Sequence, residues 1–430
     1  MNLNEIEKRI SGDRSSGIKS VVTGSGAVYK LPSELKKLGT KKVFLMADVN
    51  TYAVAGEQVE TLLSANEIPY TLYIFKEKAL TPDEHTVGSA VMHFDTSCDT
   101  VLTVGSGVLN DTGKILANVS GAHYAIVATA PSMDGYASAS SSMEMDGLKV
   151  SLPSKCAELI IGDTDILKTA PLSMLKAGLG DMLAKYISIC EWRIGHLITG
   201  EYYDEEAAAL VREALKKCTD NAEGLLKRED AAIDAVFDGL LLCGVAMSLT
   251  GVSRPASGME HYFSHVWDMR GLEFGTEVEL HGIQCAKGTL IARKLYEQVR
   301  NIKPDREKAL QYGKDFDFTA WCEDLRGFLG KGAESMIAAE AKDGKYDPEK
   351  HAARLNVIHE NWEQILKIIE EELPKLNELE QLLEHLELTE IKDPSILPMT
   401  FKATKDIRDK YVLSRLAWDL GIIEELCKTL

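Results

Sequence analysis

Short apolar runs, each followed by an amphipathic stretch, recur through the first 165 or so residues of this chain and then stop. The runs are IKSVVTG (18–24), KKVFLMAD (41–48), IPYTLYIF (68–75), DTVLTVGSG (99–107), HYAIVATA (123–130) and AELIIGD (157–163). A strand buried on both sides reads as a continuous apolar run, so this alternation predicts βαβ units and a parallel sheet covered on both faces. A helix is expected through AVAGEQVETLLSA after the second strand. Thr81-Pro82-Asp83-Glu84 predicts the next, with Thr81 as N-cap, proline at the first helical position and an acid at the third, running to about Ser97. A further helix is expected from about Leu109 to Asn118. Residues 141–152 (SSMEMDGLKVSL) alternate about Asp146-Gly147, which predicts a hairpin.

From Pro171 onward every segment reads as helix, with turn signals near Gly251, Gly271, Pro304 and Gly344. Residues 351–388 place Leu and Ile at helical spacing among charges, as in a coiled pair of helices or a bundle edge. The expected organisation is therefore a Rossmann-like α/β domain over residues 1–165 and an all-helical domain over 166–430, tightly joined with a cleft between them. A chain of 430 residues has the length for two domains.

Composition excludes several functions. With 48 Lys and Arg against 66 Asp and Glu, the net charge is −18, which repels nucleic-acid phosphates and anionic lipid heads. No apolar run approaches the roughly 18 residues that span a bilayer, and MNLNEIEKRI is charged throughout, unlike a signal peptide. Cytoplasmic placement is expected. The eight cysteines are scattered with no C-x-x-C pair; this argues against a disulfide framework, a cysteine-based zinc site or an iron–sulfur cluster, and most are read as small buried hydrophobes.

Three constellations carry candidate chemistry. Gly105-Ser106-Gly107 follows a strand and opens a helix, with Asp111 and Lys114 beyond it. Glycines there let a ligand approach, and free N–H groups at a helix start attract phosphate. Asn110 stands where a dinucleotide fingerprint has its last glycine, so the loop is of a different type. Asp48 ends the second strand, where an acid can hold an adenosine ribose or simply cap the next helix. Second, the loop from Thr129 to Ser138 (TAPSMDGYAS) follows a strand's carboxyl end and carries small hydroxyls and one carboxylate, suited to orienting a polyol or a nicotinamide amide. Third, His261 and His265 lie four apart in GMEHYFSHVWD, His281 follows in ELHGIQCAKG, and Asp181 stands in GLGDMLAKY with Lys185 one turn later. A histidine–histidine–aspartate set leaves a divalent metal with open positions, the catalytic arrangement.

The ordered series GSG-x-x-x-D-x-x-K, TAPSMDGYAS, GLGD-x-x-AKY, SRPASGMEH-x-x-SH and LHG-x-Q resembles the family of glycerol dehydrogenases, iron-type alcohol dehydrogenases and 3-dehydroquinate synthases. It is most similar to the branch of that family acting on glycerol 1-phosphate. The resemblance covers about residues 15 to 300, and the tail FKATKDIRDKY (401–411) looks like the bacterial members. It implies a dehydroquinate synthase-like fold, with Asp181, His261 and His281 as metal ligands. Asp134 and His265 are implied as substrate contacts. Asp48, Gly105, Ser106, Gly107, Val108, Leu109, Asn110, Asp111, Thr129, Ser132 and Ser138 are implied to hold NAD(H) or NADP(H). One departure is Ser106, where the family often has a third glycine; a serine hydroxyl still donates to phosphate.

The implied reaction is reversible hydride transfer between NAD(P)H and dihydroxyacetone phosphate, giving sn-glycerol 1-phosphate, with one zinc or nickel ion. His265 is the expected proton relay. A dianionic substrate meeting a chain of charge −18 requires a local cationic pocket, for which Arg254 and Lys185 are the candidates; each has an alternative as a loop brace or a helix ion pair. Family members form dimers and larger assemblies, so a homodimer is expected. Competing readings are a polyol dehydrogenase without phosphate specificity, a cyclising lyase that uses NAD transiently, and a scaffold with a degenerate metal set.

Overall fold

The computed structural model describes residues 15–77 and 79–430. The chain forms two compact units that interleave in sequence. One takes the chain up to Met182 together with Asp204–Ser253, and the other takes Leu183–Tyr203 together with Arg254–Leu430. The change from strands to helices falls where the sequence places it, but the helical stretches up to Met182 and within Asp204–Ser253 join the unit that holds the sheet.

The first unit is built on six strands, β1 (Ser20–Gly24), β2 (Val43–Asp48), β3 (Tyr70–Phe75), β4 (Thr100–Gly105), β5 (His123–Ala128) and β8 (Leu159–Asp163), with β6 (Ser140–Met145) and β7 (Leu148–Pro153) as a separate hairpin. The sheet is parallel throughout, in the order β1-β8-β5-β4-β2-β3. β4 and β8 are buried along their whole length and β2 all but its last residue, as continuous apolar runs require. The hairpin turns at Asp146 and Gly147 with φ of 54° and 76°, the paired positive values of a type I′ turn.

The helices α1 (Leu31–Leu38), α2 (Glu57–Ala65), α3 (Glu84–His93) and α4 (Gly107–Ser120) follow β1 to β4. α3 departs from expectation. Its N-cap is Asp83, whose carboxylate accepts from the N–H of Thr86 at 2.8 Å; Thr81 lies outside, and the helix stops at His93. An aspartate cap two residues later outcompetes the Thr-Pro start because its carboxylate reaches the third helical N–H. α4 begins two residues before the expected start, at the glycine loop itself. It lies close on the sheet at Gly113, where a Cβ would come within 2.5 Å of Thr103 and 2.6 Å of Tyr124.

The unit also contains most of α5 (Leu172–Leu183), with α7 (Glu205–Asp220) and α8 (Asp230–Thr250). α8 corrects the expectation about apolar runs: 21 residues long, it is apolar enough by length and composition to cross a membrane. Most of it is buried within this unit, facing Gly162 through Phe237 and the 134–137 backbone through Gly244, as a core helix is.

The second unit is helical. α6 (Lys185–Thr199), α9 (Met259–Phe274) and α10 (His281–Val299) bury Ile194, Phe263 and Leu295 in one core with Trp362, Ile365 and Trp418. The amphipathic stretch 351–388 is no continuous pair of helices. It is three short ones, Pro348–Glu360, Trp362–Glu372 and Leu376–His385; the first two contribute Ile358, Trp362, Ile365, Ile368 and Ile369 to that core, and the third buries Leu379 and Leu383. Gly271 is not a turn either: it lies inside α9, where a Cβ would come within 2.1 Å of Val278, and the helix ends at Gly275 with φ of 67°.

Candidate functional site

In the first unit, β2 leads outward to β3 while β4 leads the other way to β5, so the sheet's topological switch point lies between β2 and β4. The last register pair there is Met46 with Thr103; two residues further on, both strands end, in Asp48 and Gly105. The crevice outside the carboxyl ends of strands at a switch point is where open α/β sheets bind ligands. The Ser106 side chain makes no capping bond to α4. A Cβ at Gly105 would strike Leu109 at 2.5 Å, whereas one at Gly107 would meet nothing nearer than Met133 at 3.8 Å. Glycine at 105 is demanded by the Leu109 side chain packed against it; at 107 it leaves space above the helix start. These strand ends fit a dinucleotide.

Asp48 caps its helix. Its Oδ1 accepts from the N–H groups of Asn50 and Thr51, both at 2.8 Å, and Thr51 Oγ1 accepts in return from the Asp48 N–H at 3.0 Å. Asn110 is fully buried, donating to the Gly135 carbonyl and accepting from Tyr124. Lys114, also fully buried, clasps the same loop through the Gly135 carbonyl, Ser138 Oγ at 3.2 Å and the Ser140 carbonyl at 3.0 Å. Ser138 donates within that clasp, and Asp111 accepts from the Ser142 N–H at 3.2 Å, its carboxyl pushed up by burial. These four residues therefore hold α4 to the 134–142 segment. Thr129 is buried and bonds through its N–H to the Gly105 carbonyl at 3.1 Å, while Ser132 is half-buried. At the head of the loop, the Asp134 N–H donates to Oδ2 of fully buried Asp181 at 3.0 Å.

The second unit carries the histidines. His261 and His265 are on α9, and His281 is the first residue of α10. The His261 and His281 rings stand 5.0 Å apart, with His265 at 6.3 Å from His281. Each of the first two is oriented through Nδ1. His261 Nδ1 lies 2.8 Å from Oε1 of the fully buried Glu260, and His281 Nδ1 lies 2.9 Å from Ser264 Oγ. Ser264 donates its hydroxyl proton to Gln284 Oε1 at 2.6 Å, so its oxygen accepts from His281. Carboxylate and hydroxyl acceptors place the ring protons on Nδ1 and put the lone pairs, the form that binds a metal, on Nε2. Cys285, one turn beyond His281, completes a group of three ligand atoms within 4.8 Å of one another. This donor set fits a divalent ion.

Both candidate cations are buried. Lys185 opens α6 and is fully buried. Arg254 donates Nε to Glu201 at 2.7 Å and Nη2 to Glu201 and to the Tyr411 carbonyl, the latter at 2.9 Å; Nη1 is buried with no partner among the described residues. It braces the loop before α9 and retains one uncommitted nitrogen. Glu191 ties that region together, accepting from the N–H groups of Met259 and Leu413 at 2.8 Å; burial and the Glu260 carboxylate push its own carboxyl well up. Lys410 donates to the Ser257 carbonyl at 2.8 Å, and burial next to Arg254 brings its ammonium down to about 7.

Residues 22–171 match the family described as iron-containing alcohol dehydrogenase. Among curated relatives, the glycerol-1-phosphate dehydrogenase [NAD(P)+] of Halalkalibacterium halodurans is 30% identical over 364 residues, covering 84% of this chain and 81% of the relative. The chain belongs to the glycerol-1-phosphate dehydrogenase family. Another member, from Pyrococcus furiosus, is 33% identical over 292 residues, 67% of this chain and 82% of its own. Among solved structures, a probable glycerol dehydrogenase from Sinorhizobium meliloti 1021 is similar in fold, with a TM-score of 0.54 at 16% identity over 96% of this chain and 98% of that one. The glycerol dehydrogenase of Schizosaccharomyces pombe gives 0.58 at 16%, over 97% and 92%.

Within this glycerol-1-phosphate dehydrogenase family member, the residues missed by sequence reasoning are those that aim others. Glu260, Ser264 and Gln284 all stand inside motifs quoted from the sequence, yet only the helices that carry them reveal which nitrogen each controls. Glu201, the partner of Arg254, carries no sequence signal at all.

Proposed function

We propose that this chain catalyses the reversible NAD(P)H-dependent reduction of dihydroxyacetone phosphate to sn-glycerol 1-phosphate, in the cytoplasm, with one zinc or nickel ion. The observation that carries it is the histidine pair, His261 buried and His281 half-buried, whose Nδ1 atoms are both hydrogen-bonded, in a chain whose relatives bear that enzyme's name over most of its length. In this reading His261 and His281 hold the metal through Nε2, and Asp181 supplies the third ligand. When bound, the metal supplies polarisation of the ketone. The nicotinamide supplies hydride, two electrons per ketone reduced.

The chain's own groups do the rest. Gly105 to Asp111 and Thr129 line the cofactor's phosphates and nicotinamide, with Ser132 and Ser138, and Asp48 turns its second carboxylate oxygen to the ribose. Of the cofactor set, Asn110, Asp111 and Ser138 act by holding the loop in place. Asp134 orients the substrate's hydroxyls, and His265 delivers the proton that the reduced oxygen takes up. Lys185 is the principal cation for the substrate's phosphate; Arg254 adds Nη1. The eight cysteines are free and buried, in keeping with a reducing compartment.

The test is the initial rate of NADH and NADPH oxidation by metal-loaded protein with dihydroxyacetone phosphate, beside dihydroxyacetone, followed by chiral assignment of the product. A rate dependent on the phosphate, with the sn-1 product, is expected. Equal rates on both ketones would replace this reading with a polyol dehydrogenase, which the commitment of Arg254 to Glu201 favours. No nucleotide oxidation with either would exclude a dehydrogenase and leave the lyase.

A further inference from the structure

We propose that Cys285 is a ligand of the metal ion held by His261 and His281, making the centre a mixed nitrogen–sulfur site; this rests on the histidine pair being metal ligands. Cys285 follows His281 by four residues on α10, so both side chains leave the helix on one face. Its Sγ is 3.6 Å from His281 Nε2 and 3.9 Å from Nδ1. The nearer nitrogen is the one that carries the ring's lone pair, because the Nδ1 proton is given to Ser264.

The separation is the informative quantity. A nitrogen and a sulfur bound to one zinc ion at about 2.1 and 2.3 Å, across a tetrahedral angle, lie about 3.6 Å apart. The observed separation matches that of two atoms sharing one ion, and His261 offers its own nitrogen within the same 4.8 Å group. Cys285 is completely buried, as any space-filling cysteine is. A filler, however, has no reason to direct its sulfur at a histidine lone pair inside a pair of oriented histidines.

Without an ion, the thiol donates its S–H to Nε2. With one, sulfur binds as thiolate and its proton leaves to solvent. A thiolate favours zinc, cobalt or nickel over magnesium or manganese, which would account for metal selectivity from residues of one unit.

Cobalt(II), loaded into the full-length protein in place of the native metal, reads this out. The expected spectrum has visible d–d bands and a near-ultraviolet thiolate-to-cobalt charge-transfer band. In Cys285→Ser the d–d bands persist, the charge-transfer band is lost, and cobalt binds roughly tenfold or more weakly. Visible bands in the unmodified protein without the charge-transfer band would overturn the role of Cys285 and leave the histidine site standing. No bound cobalt at all would overturn both. Because the unmodified protein's spectrum decides the matter, a Cys285→Ser variant that fails to fold does not weaken the test.

Discussion

Ser264 holds His281 by its Nδ1 at 2.9 Å while giving its own proton to Gln284 at 2.6 Å. The relay determines which face of the imidazole is open, and it is made across the two helices α9 and α10. Ser264→Ala removes the acceptor and frees the ring to rotate or change tautomer. Metal affinity is expected to fall roughly 10–100-fold, measured by competition with a chelator. With metal saturating, kcat should recover most of its value; a kcat that stays low at saturation would give Ser264 a part in the reaction itself.

Asp48 is half cap and half candidate ribose ligand, and two substitutions separate the halves. Asp48→Asn keeps an oxygen for the Asn50 and Thr51 N–H groups but removes the charge. It should raise preference for NADPH over NADH with little change in stability. Asp48→Ala should also lower stability by about 1 kcal/mol, the usual effect of losing a cap. Steady-state kinetics with both nucleotides and urea titration check the pair.

Gly178, on α5, faces the Pro131 carbonyl so closely that a Cβ would come within 1.7 Å of its oxygen. Gly178→Ala must push back the loop that begins TAPSMDG. The expected outcome is a loss of roughly 1–3 kcal/mol together with a raised KM for the nucleotide. An unchanged KM in a destabilised variant would separate this loop from the cofactor site.

Acid stability offers a fourth test. Burial opposes ionisation of Glu158, but Lys155, Lys19 and His123 bond to it and together bring its carboxyl from 4.5 down to about 2. Since the folded value lies below the unfolded one, the unfolded chain binds more protons through this window, and stability falls as pH drops from about 4.5 to about 2. Glu158→Gln should be less stable than the parent near neutrality, with the difference shrinking toward the acid end. Urea midpoints across that range measure it; a constant offset would place the effect in packing instead of charge.

The elements that could be read from the chain are those whose cause is local. Continuous apolar runs specify strands buried on both faces, and Asp146-Gly147 specifies its turn through two positive φ angles. A pair of histidines four apart lies on one helix face wherever that helix goes. Motif order likewise points to the family, because each motif is contiguous. What the tertiary structure decided concerns partners distant in sequence. Helices α7 and α8 join the sheet's unit although they follow α6 in the chain, since burial of an apolar surface is indifferent to chain order. Asp83 displaces Thr81 as a cap, and Val278 rather than a turn accounts for Gly271. Arg254 meets Glu201 across 53 residues, and Lys114 spends its charge on carbonyls of a loop. Hydrogen bonds act over about 3 Å in space, whatever the separation along the chain. The nitrogen that each histidine presents was therefore settled only when Glu260 and Ser264 were brought beside them.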